Sequence, residues 1–398
     1  MNNSLDIYKI SLPVIRKVFL TSFPILITAV ISGVLSSLTN FLLAKIFNPV
    51  DFAIFRTIIS TFGFLSFLLD FGVSVTLTRY IAIYHSQKDK GKIKDLIFKV
   101  LKFKLAILAI VSIILLLLKN DFAKYFLHNE AVGYLALLGG LYFIFVFFDI
   151  TKSILTGFSK FKLLSFYNVI LPAYGLGFSI ILAIYFRVEG VIIANSLAYF
   201  GTLLFLLWFL LKNRVFKPKK KNVDFKKILI SFSFPIYLAN LPSNLSLATI
   251  PLIALFFKPE VVGLFAFSMI FYNAFTLLPQ SIYHVLLPQM SAHYSRLELI
   301  KISETLKSTI FLFLFISIPI FLIFLIFIRP VVRLFLPGYL GSIMAIDILS
   351  AFAILTGIST IYTASLNAQA RLKQSALISY VTTFLLIVVS FIAANSIS

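Results

Sequence analysis

The 398-residue chain contains no cysteine, four histidines, one tryptophan and only 14 acidic residues. Each shortage removes a class of chemistry. Without thiols there are no disulfides, no thiolate metal sites and no cysteine nucleophile. The imidazoles, His85, His128, His284 and His293, include no pair at the helical spacing of a zinc-protease motif, so no metal site is expected. No P-loop and no dinucleotide fingerprint occurs, so no cofactor is expected and an ATP-driven machine would need a partner subunit. Charged residues of both signs make up only 12% of the chain. A soluble domain carries about 25%. That scarcity argues against soluble enzymes, nucleic-acid binders and secreted modules.

What the chain has instead is apolar surface. Hydrophobic residues reach 60%, and the mean hydropathy is +1.04. A water-soluble fold of this length could not hide so much, so the composition implies an all-α, polytopic membrane protein. Runs of roughly 20 apolar residues, enough to span a bilayer, number about eleven. They fall near 18–46, 52–82, 96–118, 131–151, 164–186, 190–211, 228–256, 261–293, 308–328, 341–367 and 375–396. The first run is too long for the core of a signal peptide and is expected to be a span.

Lys and Arg total 35, giving a net charge of +21. Sorted by alternate loops, 27 of the 35 fall on one side. They lie before the first span, at Arg79, in Lys88 to Lys104, Lys152 to Lys162, Lys212 to Lys227, Arg296 to Lys307, and at Arg371 and Lys373. The other side holds Lys45, Arg56, Lys119, Lys124, Arg187, Lys258, Arg329 and Arg333. The positive-inside rule then places the N terminus in the cytoplasm, with the chain in the cytoplasmic membrane. The lysine runs are expected to be topological anchors rather than nucleic-acid contacts.

A shift of about 210 residues superposes the two halves. Ser22-Phe-Pro-Ile25 meets Ser233-Phe-Pro-Ile236, and Phe47 to Phe55 meets Phe257 to Phe265. Ala82-Ile-Tyr84 meets Ala292-His-Tyr294, and Lys92 to Asp95 meets Lys301 to Glu304. The repeat divides the chain into a six-helix lobe (1–211), a basic cytoplasmic linker (212–227) and a second lobe (228–398). With six spans before the linker, both lobes face the same way and a path would lie between them. Pro24 and Pro235 are expected to bend the first helix of each lobe. The second lobe has five spans, one short of the first, so a twelfth helix is missing or lies beyond this sequence.

Two stretches resemble a known family. Pro259-Glu-Val-Val-Gly-Leu-Phe265 resembles the P-E-x-x-G-x-Y/F turn of oligosaccharide flippases. Leu69-Asp-Phe-Gly to Arg79-Tyr-Ile-Ala82 resembles their L-D-x-G…R-Y-x-A stretch. Both are similar to the polysaccharide biosynthesis, or Wzx-type O-antigen flippase, family of the multidrug/oligosaccharidyl-lipid/polysaccharide exporter superfamily. Ala53 departs from the pattern, standing where the first-copy turn usually has glycine. The resemblance implies a 12-helix exporter fold, here lacking its last helix, and no enzymatic activity. It implies movement of a lipid-(pyro)phosphate-linked oligosaccharide to the outer leaflet, possible proton or sodium coupling, and polysaccharide assembly proteins as partners. The competing readings are a cation-coupled multidrug exporter, a lipid II flippase, and a membrane glycan polymerase or ligase. The last would need a large external loop, whereas the longest here is about Lys119 to Glu130.

A charge inside a bilayer costs at least about 2.5–3.5 kcal/mol, so intramembrane ionic residues are functional candidates. Arg56, Arg79 and Lys45 are candidates for the anionic headgroup, because guanidinium and ammonium groups suit phosphate oxygens. Asp70 and Asp149 are candidates for ion coupling. Asn240, Asn244, Asn273, Gln280 and Gln289 are candidates for glycan contacts, since amides pair with sugar hydroxyls. The bland alternatives are interfacial anchoring for the cations, a helix cap for Asp70, an ion pair with Lys152 for Asp149, and interhelical packing for the amides.

Overall fold

The computed structural model describes residues 12–217 and 221–397; the side chains of 12–26, Ala239, Ser243, Pro288, Ala292, Ser295 and Leu299 lie outside the description. Lys9 and Lys219–Lys220 are outside it as well. Among the described residues the chain is helical, with no strand. Among the described residues, nine helices are long and apolar enough to cross a membrane, or ten if the bent pair within 225–256 is one span. The stretch Phe161–Lys212, 52 residues counted once, would run about 78 Å as one helix, far beyond a bilayer core of about 30 Å. It breaks at Arg187, where φ is 48°. The sequence reading of about eleven spans counts that stretch as two.

In chain order, α1 is Leu12–Ile46, α2 Pro49–Leu68, α3 Val73–Ser86, α4 Lys90–Phe126, α5 Gly133–Phe148, α6 Thr151–Gly157, α7 Phe161–Tyr174 and α8 Ile180–Lys212. After the linker come α9 Phe225–Ile228, α10 Phe234–Leu245, α11 Thr249–Phe256, α12 Pro259–Ser295, α13 Leu299–Phe335, α14 Ile343–Ala368 and α15 Leu372–Asn395. Local chemistry sets these boundaries. Asn48 caps α2 by accepting a bond from Asp51 N at 2.8 Å, with Pro49 in the first turn. Asp89 caps α4 by accepting from Lys92 N at 3.2 Å. Helix α12 opens on Pro259 with Glu260 in its first turn, where the helix dipole favours an acid.

The repeat reappears in these boundaries. Pro49 and Pro259 open α2 and α12 210 residues apart; Ser86 and Ser295 close α3 and α12 209 apart. Helices α4 and α13 match at both ends with an offset of 209, and α5 and α14 start 210 apart. One difference is local. The α2–α3 pair is interrupted at Leu69–Gly72, and the α5–α6 pair at Asp149–Ile150, whereas α12 and α14 run through the equivalent positions.

Two compact units emerge from the fold: residues 38–266, and residues 1–37 with 267–398. In the first unit, Gly263 of the P-E-x-x-G turn packs on the start of α2. A Cβ at Gly263 would lie 1.9 Å from the Pro49 carbonyl oxygen, so only glycine fits. The linker belongs to this unit too and is clipped onto α4. Lys90, Lys94 and Lys99 donate to the carbonyls of Asn213, Phe216 and Val223 at 3.1, 2.6 and 2.6 Å. Buried Asp95 accepts from Val223 N at 2.7 Å, and Lys221 pairs with Asp89 at 3.0 Å. Beyond the linker the helical path bends by 51° between Leu238 and Asn240. The bend expected at Pro235 therefore falls four residues later. Pro24 lies inside α1, where the backbone is helical. The second unit includes a dry cluster built on Leu286, Met290, Ile302, Phe313, Ile361 and Ala364.

Candidate functional site

Both interrupted helices carry an aspartate at the break. At the first, Phe71 and Gly72 adopt φ of 48° and 74°, which no helix can contain. Gly72 is required twice over: its φ is left-handed, and a Cβ would meet the Ser233 carbonyl oxygen at 2.3 Å. Asp70 caps the helix that restarts. Its carboxylate accepts from Ser74 N at 3.0 Å and from Ser74 Oγ at 2.8 Å. At the second break, Asp149 is extended (φ −71°, ψ 93°). It accepts from Thr151 N at 3.1 Å and from the Tyr167 hydroxyl.

A cation that the sequence reading counted among the anchoring lysines lies between these breaks. Lys104, on α4, is 2% exposed. Its Nζ donates to Asp70 Oδ1 at 2.7 Å and to the Phe147 carbonyl at 2.8 Å, and sits 4.3 Å from the centre of the Phe147 ring. The carbonyl is available because α5 ends one residue later, leaving its last turn without intrahelical donors. A cation there also meets the negative end of the α5 dipole, worth about 0.3–1 kcal/mol and up to ~2 when partly buried. Such a pair is costly to break: removing one partner of a buried ion pair costs about 3–5 kcal/mol. The signal available in the sequence was depth. Lys104 lies between Phe103 and Leu105, past the polar start of α4.

These groups open onto a cavity of about 490 Å³. Asp70, Lys104 and Asp149 line it, with Tyr237, Asn240 and Asn244 from the bent helix. Tyr237 is fixed by donating to the Leu68 carbonyl at 3.0 Å, and Thr76 and Ser233 share a bond of 2.5 Å beside it. Irregular backbone at membrane depth is tolerated where it lines a polar cavity, and broken helices mark ion and substrate sites in transporters generally.

The other sequence candidates lie elsewhere. Arg56 is half-buried on α2, and its Nη1 donates to Asn40 Oδ1 at 2.9 Å while its Nε is buried without a partner. Arg79 is exposed and lays its guanidinium 4.2 Å from the centre of the Phe232 ring. Lys45 is exposed at the end of α1. None of the three lines this cavity. Asn273, Gln280 and Gln289 are exposed on α12 in the second unit, where Asn273 and Gln280, seven apart, share a face. Of the five amides, Asn240 and Asn244 are the two that meet the charged cavity.

The repeat supplies a comparison inside the second unit. Offsets of 209 and 210 carry Lys104 and Phe147 to Phe313 and Gly357, and the offset of 210 that holds on both sides of Asp70 carries it to Gln280, next to Pro279. Phe313 and Gly357 are also neighbours, with Pro279 beside them: a Cβ on Gly357 would lie 2.4 Å from the Phe313 ring and 3.2 Å from Pro279. Phe313 is 2% exposed in the dry cluster. The cation of one copy lines a cavity; its counterpart in the other is a packed apolar ring.

Fold and site together define a multi-pass, all-helical membrane protein built on an internal repeat, and solved structures share this fold. A multidrug resistance MATE family transporter of the MOP superfamily, in an inward-facing conformation, is 15% identical with a TM-score of 0.72, covering 89% of this chain and 84% of that one. A MOP superfamily transporter from Pyrococcus furiosus is 15% identical with a TM-score of 0.61, covering 94% and 93%. MATE in the bent conformation is 16% identical with a TM-score of 0.58, covering 93% and 91%. At these identities the likeness is one of fold. No curated protein matches in sequence. The family model for polysaccharide biosynthesis protein matches residues 19–247, more than half of the chain, and the protein belongs to that family.

Proposed function

We propose that this protein is a flippase that moves a lipid-(pyro)phosphate-linked oligosaccharide across the cytoplasmic membrane for surface polysaccharide biosynthesis. Family membership over residues 19–247 is the observation that carries this reading. The charged cavity supports it, because a phosphate head and polar sugars must cross about 30 Å of hydrocarbon in a hydrated space while the lipid tail stays outside. Alternating access between lobes 1–211 and 228–398 moves the head. Asn240 and Asn244 meet sugar hydroxyls, with Asn273, Gln280 and Gln289 as further contacts along the path. Arg56, Arg79 and Lys45 offer cations outside the cavity. Asp149 and Asp70 couple transport to a proton or sodium gradient.

The test is genetic and chemical. Deleting the gene should leave lipid-linked glycan on the inner leaflet, and restoring it should return glycan to the surface. Absence of accumulation rejects the flippase reading. One feature favours a second reading, a cation-coupled exporter of cationic molecules: two carboxylates face one ammonium in the cavity. Efflux of a cationic dye that depends on the gene, with normal surface glycan in the deletion strain, would select that reading instead.

A further inference from the structure

The geometry points to Lys104 as a phosphate-binding cation of the cavity, held by Asp70 as an exchangeable counter-ion until a phosphate-bearing ligand takes it. The inference rests on the flippase reading for its choice of ligand, a phosphate or pyrophosphate group. Its residues come from the site itself.

Four observations support it. Lys104 is the one cation among the described residues lining the cavity. Its ammonium has three donors, and the structure engages two of them, with Asp70 and the Phe147 carbonyl. The carbonyl and the Phe147 ring hold Nζ in place without Asp70. Asp70 in turn keeps two bonds from Ser74 when Lys104 leaves it. Each partner therefore stays anchored if the pair opens.

The fourth observation is the repeat. At the positions equivalent to Lys104 and Phe147, Phe313 and Gly357 pack dry against Pro279. Where the helices run unbroken, the equivalent packing has an apolar solution in this same chain. Buried ion pairs are often replaced by packed hydrophobic groups at no cost in stability, so the charge on Lys104 is not demanded by the fold. A retained charge beside a cavity is a binding group by default. Ammonium-to-phosphate bonds are charge-assisted and short, and Asn240 and Asn244 supply amide donors on the same wall.

The experiment uses the purified full chain in lipid nanodiscs. Farnesyl pyrophosphate is titrated calorimetrically, with inorganic pyrophosphate and farnesol as separate arms. Lys104→Met should weaken farnesyl pyrophosphate binding by roughly tenfold or more, and Lys104→Arg should retain most of it. Asp70→Asn keeps the ammonium but loosens its hold, and should tighten binding several-fold. Binding of inorganic pyrophosphate alone assigns the site to free phosphate, and a requirement for the prenyl chain assigns it to a lipid headgroup. Farnesol should show no Lys104 dependence.

Unchanged affinity in Lys104→Met overturns the inference. So does weaker binding in Asp70→Asn, a variant that preserves shape and decides the matter even if Lys104→Met fails to fold. Loss of glycan export with wild-type affinity in Lys104→Met removes the phosphate role and leaves the flippase reading intact. The expected binding pattern in a protein whose deletion accumulates no lipid-linked glycan keeps the anion site and removes the flippase reading.

Discussion

The two copies of the repeat have matching helix boundaries and opposite interiors. Lys104 and Phe313 occupy equivalent positions on α4 and α13, both 2% exposed. Around Lys104 the neighbouring helices are broken at Asp70–Gly72 and Asp149–Ile150, and their freed groups are capped by carboxylates. Around Phe313 the neighbouring helices are continuous, with Pro279 and Gly357 making room for the ring. Helix breaks and buried charge go together here. An interrupted helix exposes backbone groups that need polar partners, and those partners form a cavity. A continuous helix needs none, and its interface closes dry. The proline of the second copy, Pro279, lies inside a helix without breaking it, so the breaks of the first copy trace to Gly72 and the aspartates rather than to proline.

Exchanging the two characters should give graded effects. Phe313→Lys puts an ammonium with no carboxylate into the apolar cluster; folded protein should be lost, as read by monodisperse yield after purification. Lys104→Phe alone leaves Asp70 uncompensated and should cost about 3–5 kcal/mol, a marked fall in melting temperature. Adding Asp70→Leu to it should recover part of that loss, since no unpaired buried charge is left, while Ser74 N and the Phe147 carbonyl lose their partners. Tyr167→Phe removes a hydrogen bond from Asp149 and should cost about 1–3 kcal/mol, with a changed response of transport to gradient collapse if Asp149 couples an ion. An unchanged melting temperature there would show that Thr151 alone satisfies Asp149.

The smallest effect concerns the linker clip. The Lys221 ammonium, and then the Lys92 amide, hold the Asp89 carboxyl below its ordinary value of 3.8. A lowered folded value means that the clip stabilises the docked linker above that ordinary value and is lost as pH falls through the lowered one. Asp89→Asn should raise proteolysis within 212–227 slightly at neutral pH. Asp95→Ala should raise it more, because buried Asp95 holds the Val223 amide.

Much of the fold was legible in the residues. Apolar runs gave the spans, and the 210-residue offset recovered helix boundaries to within a residue. Asp70 and Asp149 stood out because acids are rare within spans. Their partners did not, for a physical reason. Helical spacing pairs Asp149 with Lys152, but α5 ends at Phe148, so Asp149 is extended and meets Tyr167, 18 residues away. Lys104 was hidden by its company in the run from Lys88. Its apolar neighbours Phe103 and Leu105, and the repeat that sets it against Phe313, are what separate it from the anchoring lysines. Arg56, a headgroup or anchor candidate in the sequence, is bonded to Asn40 from the preceding helix.

The most direct measurement is surface glycan and inner-leaflet lipid-linked glycan in cells carrying Asp70→Leu with Lys104→Phe, at folded protein levels equal to wild type. If the charged copy carries transport and the apolar copy serves packing, the doubly substituted protein folds, surface glycan is lost and lipid-linked glycan accumulates on the inner leaflet. Normal surface glycan from that folded protein would contradict it.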